Sequence, residues 1–75
     1  MAIYAPVTVQ PFSTMAFAIM WRGELAVLVY HHNRSNEWRG DASSDKGETV
    51  EELPPAKTSW DAISMGIQWV LQNCK

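Results

Sequence analysis

Two apolar runs, at residues 14–21 and 25–32, flank a short junction and constrain the fold more than any other feature. Each run has about the length of one β-strand, and Gly23 in the junction can adopt the positive φ that a tight hairpin turn requires. The sequence therefore predicts a β-hairpin over about residues 14–32, at the centre of the core.

The turn decides which hairpin side chains share a face, because successive side chains of a strand point to opposite faces. A two-residue turn at Arg22 and Gly23 would place Met20 opposite Leu25, whereas a turn one residue longer would change these neighbours. With the shorter turn, one face carries Met15, Phe17, Ile19, Trp21, Ala26, Leu28 and Tyr30, and the other carries Ala16, Ala18, Met20, Leu25, Val27 and Val29. Both faces are apolar with either turn.

Further strands are predicted on both sides of the hairpin. Residues 2–10 alternate with the period of a half-buried strand, and Pro6 places this strand at an edge because proline cannot donate to a ladder. Residues 10–13, Gln-Pro-Phe-Ser, then end it. Residues 37–39, Glu-Trp-Arg, indicate a short third or fourth strand.

The segment over about residues 41–57 is rich in acids and turn formers and contains the pair Pro54-Pro55. It predicts a mobile acidic loop, with a brief helical turn over residues 49–53 as an option. Five acids and one lysine fall within residues 41–52, the acids being Asp41, Asp45, Glu48, Glu51 and Glu52. This is the most negative part of a chain whose net charge is −2.

The C-terminal segment has the period of an α-helix over about residues 59–74. Thr58 offers a capping oxygen and Asp61 follows three residues later, which indicates the helix N-terminus. One apolar stripe follows at helical spacing: Trp60, Ile63, Ile67, Val70, Leu71 and Cys74. Gly66 would allow close packing on a sheet. The predicted fold is α+β: residues 1–75 form one domain, with a small antiparallel sheet of three or four strands and this helix packed on one face.

Length and composition exclude several classes of protein. A chain of this size buries only about 60–65% of its unfolded surface, so help from a partner chain is expected. The single cysteine, Cys74, excludes an intramolecular disulfide. No segment has the length of a membrane span and the first residues lack the pattern of a signal peptide, so a reducing, cytoplasmic setting is expected.

No set of side chains has the pattern of a catalytic, cofactor-binding or metal site. His31 and His32 are adjacent on a strand, so their side chains would point to opposite faces and not to one metal ion. Cys74 has no patterned partner for nucleophilic chemistry, and Glu51 and Glu52 lack the apolar environment that acid–base catalysis requires. We therefore expect no enzymatic activity and no cofactor.

One helix can cover one face of a small sheet, so the second apolar face needs residues 33–57, a second copy or a target to cover it. We expect a target: the chain is predicted to be a non-enzymatic protein-binding module, an inhibitor or adaptor whose partner has a basic surface. It would use the apolar sheet face and the acidic loop. The candidate contact residues are Asp45, Glu48, Glu51 and Glu52 in the loop, and Trp21, Tyr30, Trp38 and Arg39 in the sheet.

In size, acidity and element order the chain loosely resembles small proteins that phages encode against host defences, anti-CRISPR proteins among them. This resemblance implies an enzymatically silent inhibitor. Two alternatives are a homodimer whose second apolar face is buried against its twin, and a sheet protein that binds single-stranded nucleic acid. The latter would use Arg22, Arg34 and Arg39 with Trp21, Tyr30 and Trp38. The absence of a broad basic footprint disfavours nucleic acid.

Overall fold

The structure, a computed structural model, describes residues 6–44 and 48–74. Five strands precede one helix: β1 (Val7–Ser13), β2 (Ala16–Trp21), β3 (Glu24–His32), β4 (Glu37–Ser43), β5 (Thr49–Glu52) and α1 (Ser59–Asn73). The strands form one antiparallel sheet in which each pairs with its neighbour in sequence. The predicted α+β class is confirmed, with five strands in place of the three or four predicted.

The central hairpin of β2 and β3 has the predicted two-residue turn. Arg22 and Gly23 both have positive φ, at 52° and 85°, as a turn that matches the twist of the flanking strands requires. Met20 pairs with Leu25, as the shorter turn predicted.

Beyond that pair, a β-bulge changes the register and overturns the predicted faces. Ile19 pairs with Val27, so that Ala26 is an extra residue in β3. Val27 and Val29 therefore share a face with Phe17 and Ile19, whereas Leu28 and Tyr30 share the other with Ala18 and Ala16. The prediction that Leu28 and Tyr30 lie beside Ile19 was wrong, because the turn fixes the register only up to the bulge.

Strand β1 lies at an edge of the sheet, as predicted, but its bounds differ from the prediction. It continues through Pro11 to Ser13, where residues 10–13 were predicted to end it. An edge strand tolerates proline when the proline nitrogen points away from the partner strand. Residues 2–5 of the predicted strand lie outside the described residues.

The predicted loop over residues 41–57 is wrong at residues 41–43 and 49–52, which form strands. Residues 41–43 belong to β4, and residues 49–52 form β5 rather than a helical turn. Ala56 then bridges to Trp38, each backbone N–H donating to the other residue's carbonyl at 2.8 Å. Residues 41–43 and 49–56 therefore widen the sheet and do not fold over its second face. Residues 45–47 lie outside the described residues.

Helix α1 begins as predicted, since Thr58 Oγ1 accepts a hydrogen bond from the Asp61 N–H at 3.1 Å. The predicted buried stripe was only partly correct: Trp60 and Leu71 are 70% and 57% exposed. The buried residues are Ala62, Ile63, Gly66 and Val70. The side of α1 that faces the sheet includes the small residues Ala62 and Gly66, because small side chains allow a close approach.

The core lies between α1 and the sheet face that carries Ile19 and Val27. A Cβ on Gly66 would collide with Ile19 Cδ1 and lie 3.3 Å from Val27 Cγ1, so glycine sets the helix-to-sheet distance, as predicted. The largest fully buried side chains are Ile19, Val27, Val29 and Val70. Helix α1 packs mainly on β2, β3 and β4 at this face, and in the described residues no element covers the opposite face of the sheet.

Candidate protein-binding face

The sheet face opposite α1, called here the open face, is defined by the strand pairing. Directly paired residues of antiparallel strands point to the same face. One such row crosses all five strands: Gln10, Ala18, Leu28, Asp41 and Glu52. This row changes from uncharged side chains to carboxylates between β3 and β4, so the open face has two chemically different halves.

The apolar half contains a groove of about 300 Å³. This apolar groove is lined by Gln10, Phe12, Ala18, Met20, Leu25 and Leu28. Ala18 gives it depth between longer neighbours, and Phe12 at its rim is 72% exposed. The groove depends on the bulge, because Leu25 and Leu28 would point to opposite faces in a regular strand.

The polar half carries three carboxylates, which we call the acidic strip: Glu37, Asp41 and Glu52. Arg39 lies among them and donates from Nε to Glu37 Oε2 at 2.9 Å. Burial and then the negative charge of Asp41 raise the pKa of Tyr30 above its ordinary value of 10.0. The strip with Arg39 has a net charge of −2 (three carboxylates and one guanidinium) directly beside the apolar groove.

The predicted contact residues are divided between the two faces. Tyr30, Arg39 and Glu52 lie on the open face, whereas Glu51 points towards α1, where it accepts a hydrogen bond from Trp69 Nε1 at 3.0 Å. Glu48 is exposed just before β5, and Asp45 lies outside the described residues. The acidic loop was predicted to form one contact surface. The pleat of β5 instead points Glu51 and Glu52 to opposite faces of the sheet.

The two predicted tryptophans belong to the core side of the sheet. Trp38 packs against Phe17 and His31, with ring centroids 6.1 and 5.2 Å apart. Trp21 packs against the core, with the Arg22 guanidinium 5.4 Å from its ring centroid. These rings do not share a face with Tyr30, so the aromatic and basic platform proposed for nucleic acid is not assembled.

Both histidines have neutral polar neighbours in the turn between β3 and β4. The His31 ring nitrogens lie 3.0 and 3.2 Å from the side-chain oxygens of Asn33 and Asn36, and His32 Nδ1 lies 2.8 Å from Ser35 Oγ. Over residues 6–44 and 48–74, no group of three or more His, Cys, Asp and Glu side chains is placed to hold a metal ion. Nor does this part of the chain contain a helix long and apolar enough to cross a membrane.

Sequence reasoning missed the groove itself. Gln10, Phe12, Met20 and Leu25 were not candidates, and Leu28 was assigned to the wrong face. The signal that would locate the groove is the bulge at Ala26, and no glycine or proline in β3 marks it.

Fold and open face together define a small α+β domain: an antiparallel five-stranded meander with one helix on one face. Comparison of the chain with protein-family models, curated proteins and solved structures gives no match in any of the three.

Proposed function

We propose that this chain is a non-enzymatic protein-binding module that uses the open face. Its partner presents an apolar side chain next to a lysine or arginine. The observation that carries the proposal is the direct pairing of Leu28, in the apolar groove, with Asp41, in the acidic strip. The backbones of Leu28 and Asp41 are thus one strand spacing apart, about 5 Å, so the groove and the acidic strip adjoin.

The groove supplies the apolar part of the interaction. Its volume is at the lower end of the range for ligand pockets, about 300–1,000 Å³, which suits one or two side chains rather than a cofactor. Phe12 and Leu25 are exposed at its rim, so a partner that covers them removes apolar surface from water. Gln10 is the one polar side chain in the lining, which supports binding without chemistry, as an inhibitor or adaptor requires.

The acidic strip supplies the preference for a basic partner. Arg39 is engaged by Glu37, whereas Asp41, which is hydrogen-bonded to Tyr30, and the directly paired Glu52 form no ion pair within residues 6–44 and 48–74. A cation placed between them is attracted by both carboxylates and also relieves their mutual repulsion. An inhibitor of a basic surface would act in this way, and the loose likeness in size and charge to small phage proteins that block host defences also favours an inhibitor.

Site-specific photo-crosslinking tests the proposal. A crosslinking residue replaces Met20 in the groove, and in the control it replaces Gln68, exposed on α1. In a lysate of the cells that express the chain, we expect the Met20 probe to form an adduct that the Gln68 probe does not form. Mass spectrometry should place a lysine or arginine beside the crosslinked apolar residue of the partner.

Competition by unlabelled chain then distinguishes specific binding from nonspecific binding. Excess unlabelled chain should abolish the adduct, whereas excess chain with Asp41→Lys and Glu52→Lys should leave it. Equal adducts from both probes, competition by the charge-reversed chain, or an adduct only with a second copy of this chain would each contradict the proposal.

A further inference from the structure

The outer edge of β1 carries unused backbone hydrogen-bonding groups. Pro6 O accepts from the Arg22 N–H at 2.9 Å, and Thr8 and Gln10 are the next residues that bond to β2, because such groups alternate along a strand. The N–H and C=O groups of Val7 and Val9 therefore point away from β2. No strand within residues 6–44 and 48–74 pairs with this edge.

The two edges of the sheet differ in charge. Edge strands are commonly protected from pairing with other chains by charged side chains, prolines and short length. At one edge, β5 has four residues, includes Glu51 and Glu52, and is followed by Pro54 and Pro55. At the other edge, β1 has seven residues, none of them charged, and Pro11 lies near its end. The first part of β1 is thus unprotected.

We infer that β1 pairs antiparallel with β1 of a second copy of this chain, about a two-fold axis at Thr8. In this register Val7 of one copy lies opposite Val9 of the other. Each of the two valine pairs exchanges both N–H···O bonds, so the N–H groups and carbonyls of Val7 and Val9 in both copies are all used. The result is one continuous sheet of two five-stranded halves.

The alternative register, with the axis at Val9, is less complementary. It would place Pro11 opposite Val7, where the proline has no N–H to donate to the Val7 carbonyl. Centring the axis on Thr8 keeps Pro11 outside the Val7–Val9 segment that pairs.

The side chains of the paired segment also fit a second copy. Val7 and Val9 lie on the face that carries α1, and Val9 is 40% exposed although its row includes the fully buried Ile19 and Val27. Opposite Val7 of the other copy, Val9 would be covered by an apolar neighbour. On the open face Thr8 would meet its own twin, a pair that contributes hydrogen bonds and no charge.

The charges of the sheet explain why the β1 edge pairs with one second copy and why the assembly does not grow into a longer array of copies. An uncharged edge meets itself without repulsion, and a two-fold contact uses the same strand of both copies and so closes at two. The β5 edges then lie at both ends of the joined sheet, where their glutamates oppose further pairing. Both grooves lie on the same side of this sheet and stay open, so the inference does not depend on the proposed function.

Light scattering after size exclusion, over a dilution series with a reductant present, tests the inference. We expect the wild-type chain to have the mass of two chains at high concentration. Val9→Lys should give the mass of one chain, because it places a charge opposite Val7 of the other copy and brings the two lysines diagonally across the joined edges. The matched control, Val50→Lys in β5, makes the same change at a residue that is 56% exposed and should leave the dimer intact.

Amide exchange of the wild-type chain shows which backbone groups form the contact. The Val7 and Val9 N–H groups should become protected as concentration rises, while those of Thr8 and Gln10 are protected at every concentration. Val9→Pro, which removes one outward donor and no bond to β2, should also give the monomer. A monomer at all concentrations, or a dimer that keeps its mass with Val9→Lys and Val9→Pro, would overturn the inference.

Discussion

The two faces of the sheet are built from the same strands, and neighbouring residues of each strand point to opposite faces. The row facing α1 runs Val9, Ile19, Val27, Ala42 and Glu51, and the neighbouring row on the open face runs Gln10, Ala18, Leu28, Asp41 and Glu52. Ile19 and Val27 are fully buried under the helix, whereas Leu28 is half-buried and Gln10 is exposed.

This difference separates stability from recognition. The helix covers the larger branched side chains at close range through Gly66, and that contact supplies the core. The open face contributes small or half-buried side chains, so its residues can be changed at lower cost to folding. Substitutions that are matched across the two faces test this division.

The largest effect is expected from lysine at adjacent positions of β3. Val27→Lys buries an unpaired charge, which should cost more than about 4 kcal/mol. Since the whole domain is expected to have about 4–11 kcal/mol of stability, at about 0.05–0.15 kcal/mol per residue, this variant should lose a large part of its stability. Leu28→Lys places its ammonium opposite Asp41 on the open face and should cost about 1 kcal/mol.

Urea unfolding followed by circular dichroism measures both variants. The comparison breaks down if the two lysines destabilise the domain equally, because the open face would then be as much a core as the face under α1. Leu28→Lys should also fail to compete in the crosslinking experiment, although it remains folded.

A smaller effect is expected at the contact that sets the helix-to-sheet distance. Alanine improves helix propensity over glycine by about 1 kcal/mol. In the wild-type background, however, the new methyl group of Gly66→Ala meets Ile19 and Val27, both fully buried, and this overpacking costs about 1–3 kcal/mol. Gly66→Ala should therefore destabilise the domain by about 1 kcal/mol.

A double-mutant cycle with Ile19→Val sharpens this prediction. The valine lacks the Cδ1 atom with which the new methyl group collides, so Gly66→Ala should become neutral or stabilising in that background. The coupling free energy from urea unfolding should be about 1–2 kcal/mol, as found for contacting residues. Gln68→Ala, on the outer face of α1, should combine additively with Ile19→Val. Additivity of Gly66→Ala would show that the glycine does not set the packing distance.

Local chemistry allowed some elements to be predicted from the sequence. Gly23 within a three-residue junction fixed the hairpin turn, and Thr58 with Asp61 fixed the start of the helix, because turns and caps depend on a few adjacent residues. The close approach at Gly66 was also predicted. Periodicity alone did not identify the buried side of the helix, since Trp60 and Leu71 fit the stripe and are exposed.

Features that depend on distant contacts were missed. All four residues of β5 are exposed, so it has no buried face and no alternating pattern, and its pairing with β4 defines it. The bulge at Ala26 likewise arises from the fit between β2 and β3 and moves Leu28 into the groove. Three of the eight predicted contact residues, Glu51, Trp21 and Trp38, lie on the side of the sheet that carries α1. Tyr30, Arg39 and Glu52 share the open face because the pleat points them to the same side.

The smallest expected effect is electrostatic and concerns Tyr30. Because its pKa is raised above 10.0 in the folded chain, the folded state holds the phenol proton more tightly than the unfolded chain does. The stabilisation is fully present below pH 10 and is lost as pH rises through the folded pKa.

Burial is the first cause of the raised pKa of Tyr30 and the charge of Asp41 is the next, while Arg39 lowers this pKa. Asp41→Asn should therefore lower the pKa of Tyr30 and Arg39→Gln should raise it. Phenolate absorbance, titrated in a Tyr4→Phe background so that Tyr30 alone responds, measures both. If the two variants move the pKa in the same direction, charge on the acidic strip does not act on Tyr30, and the preference for a basic partner loses its electrostatic support.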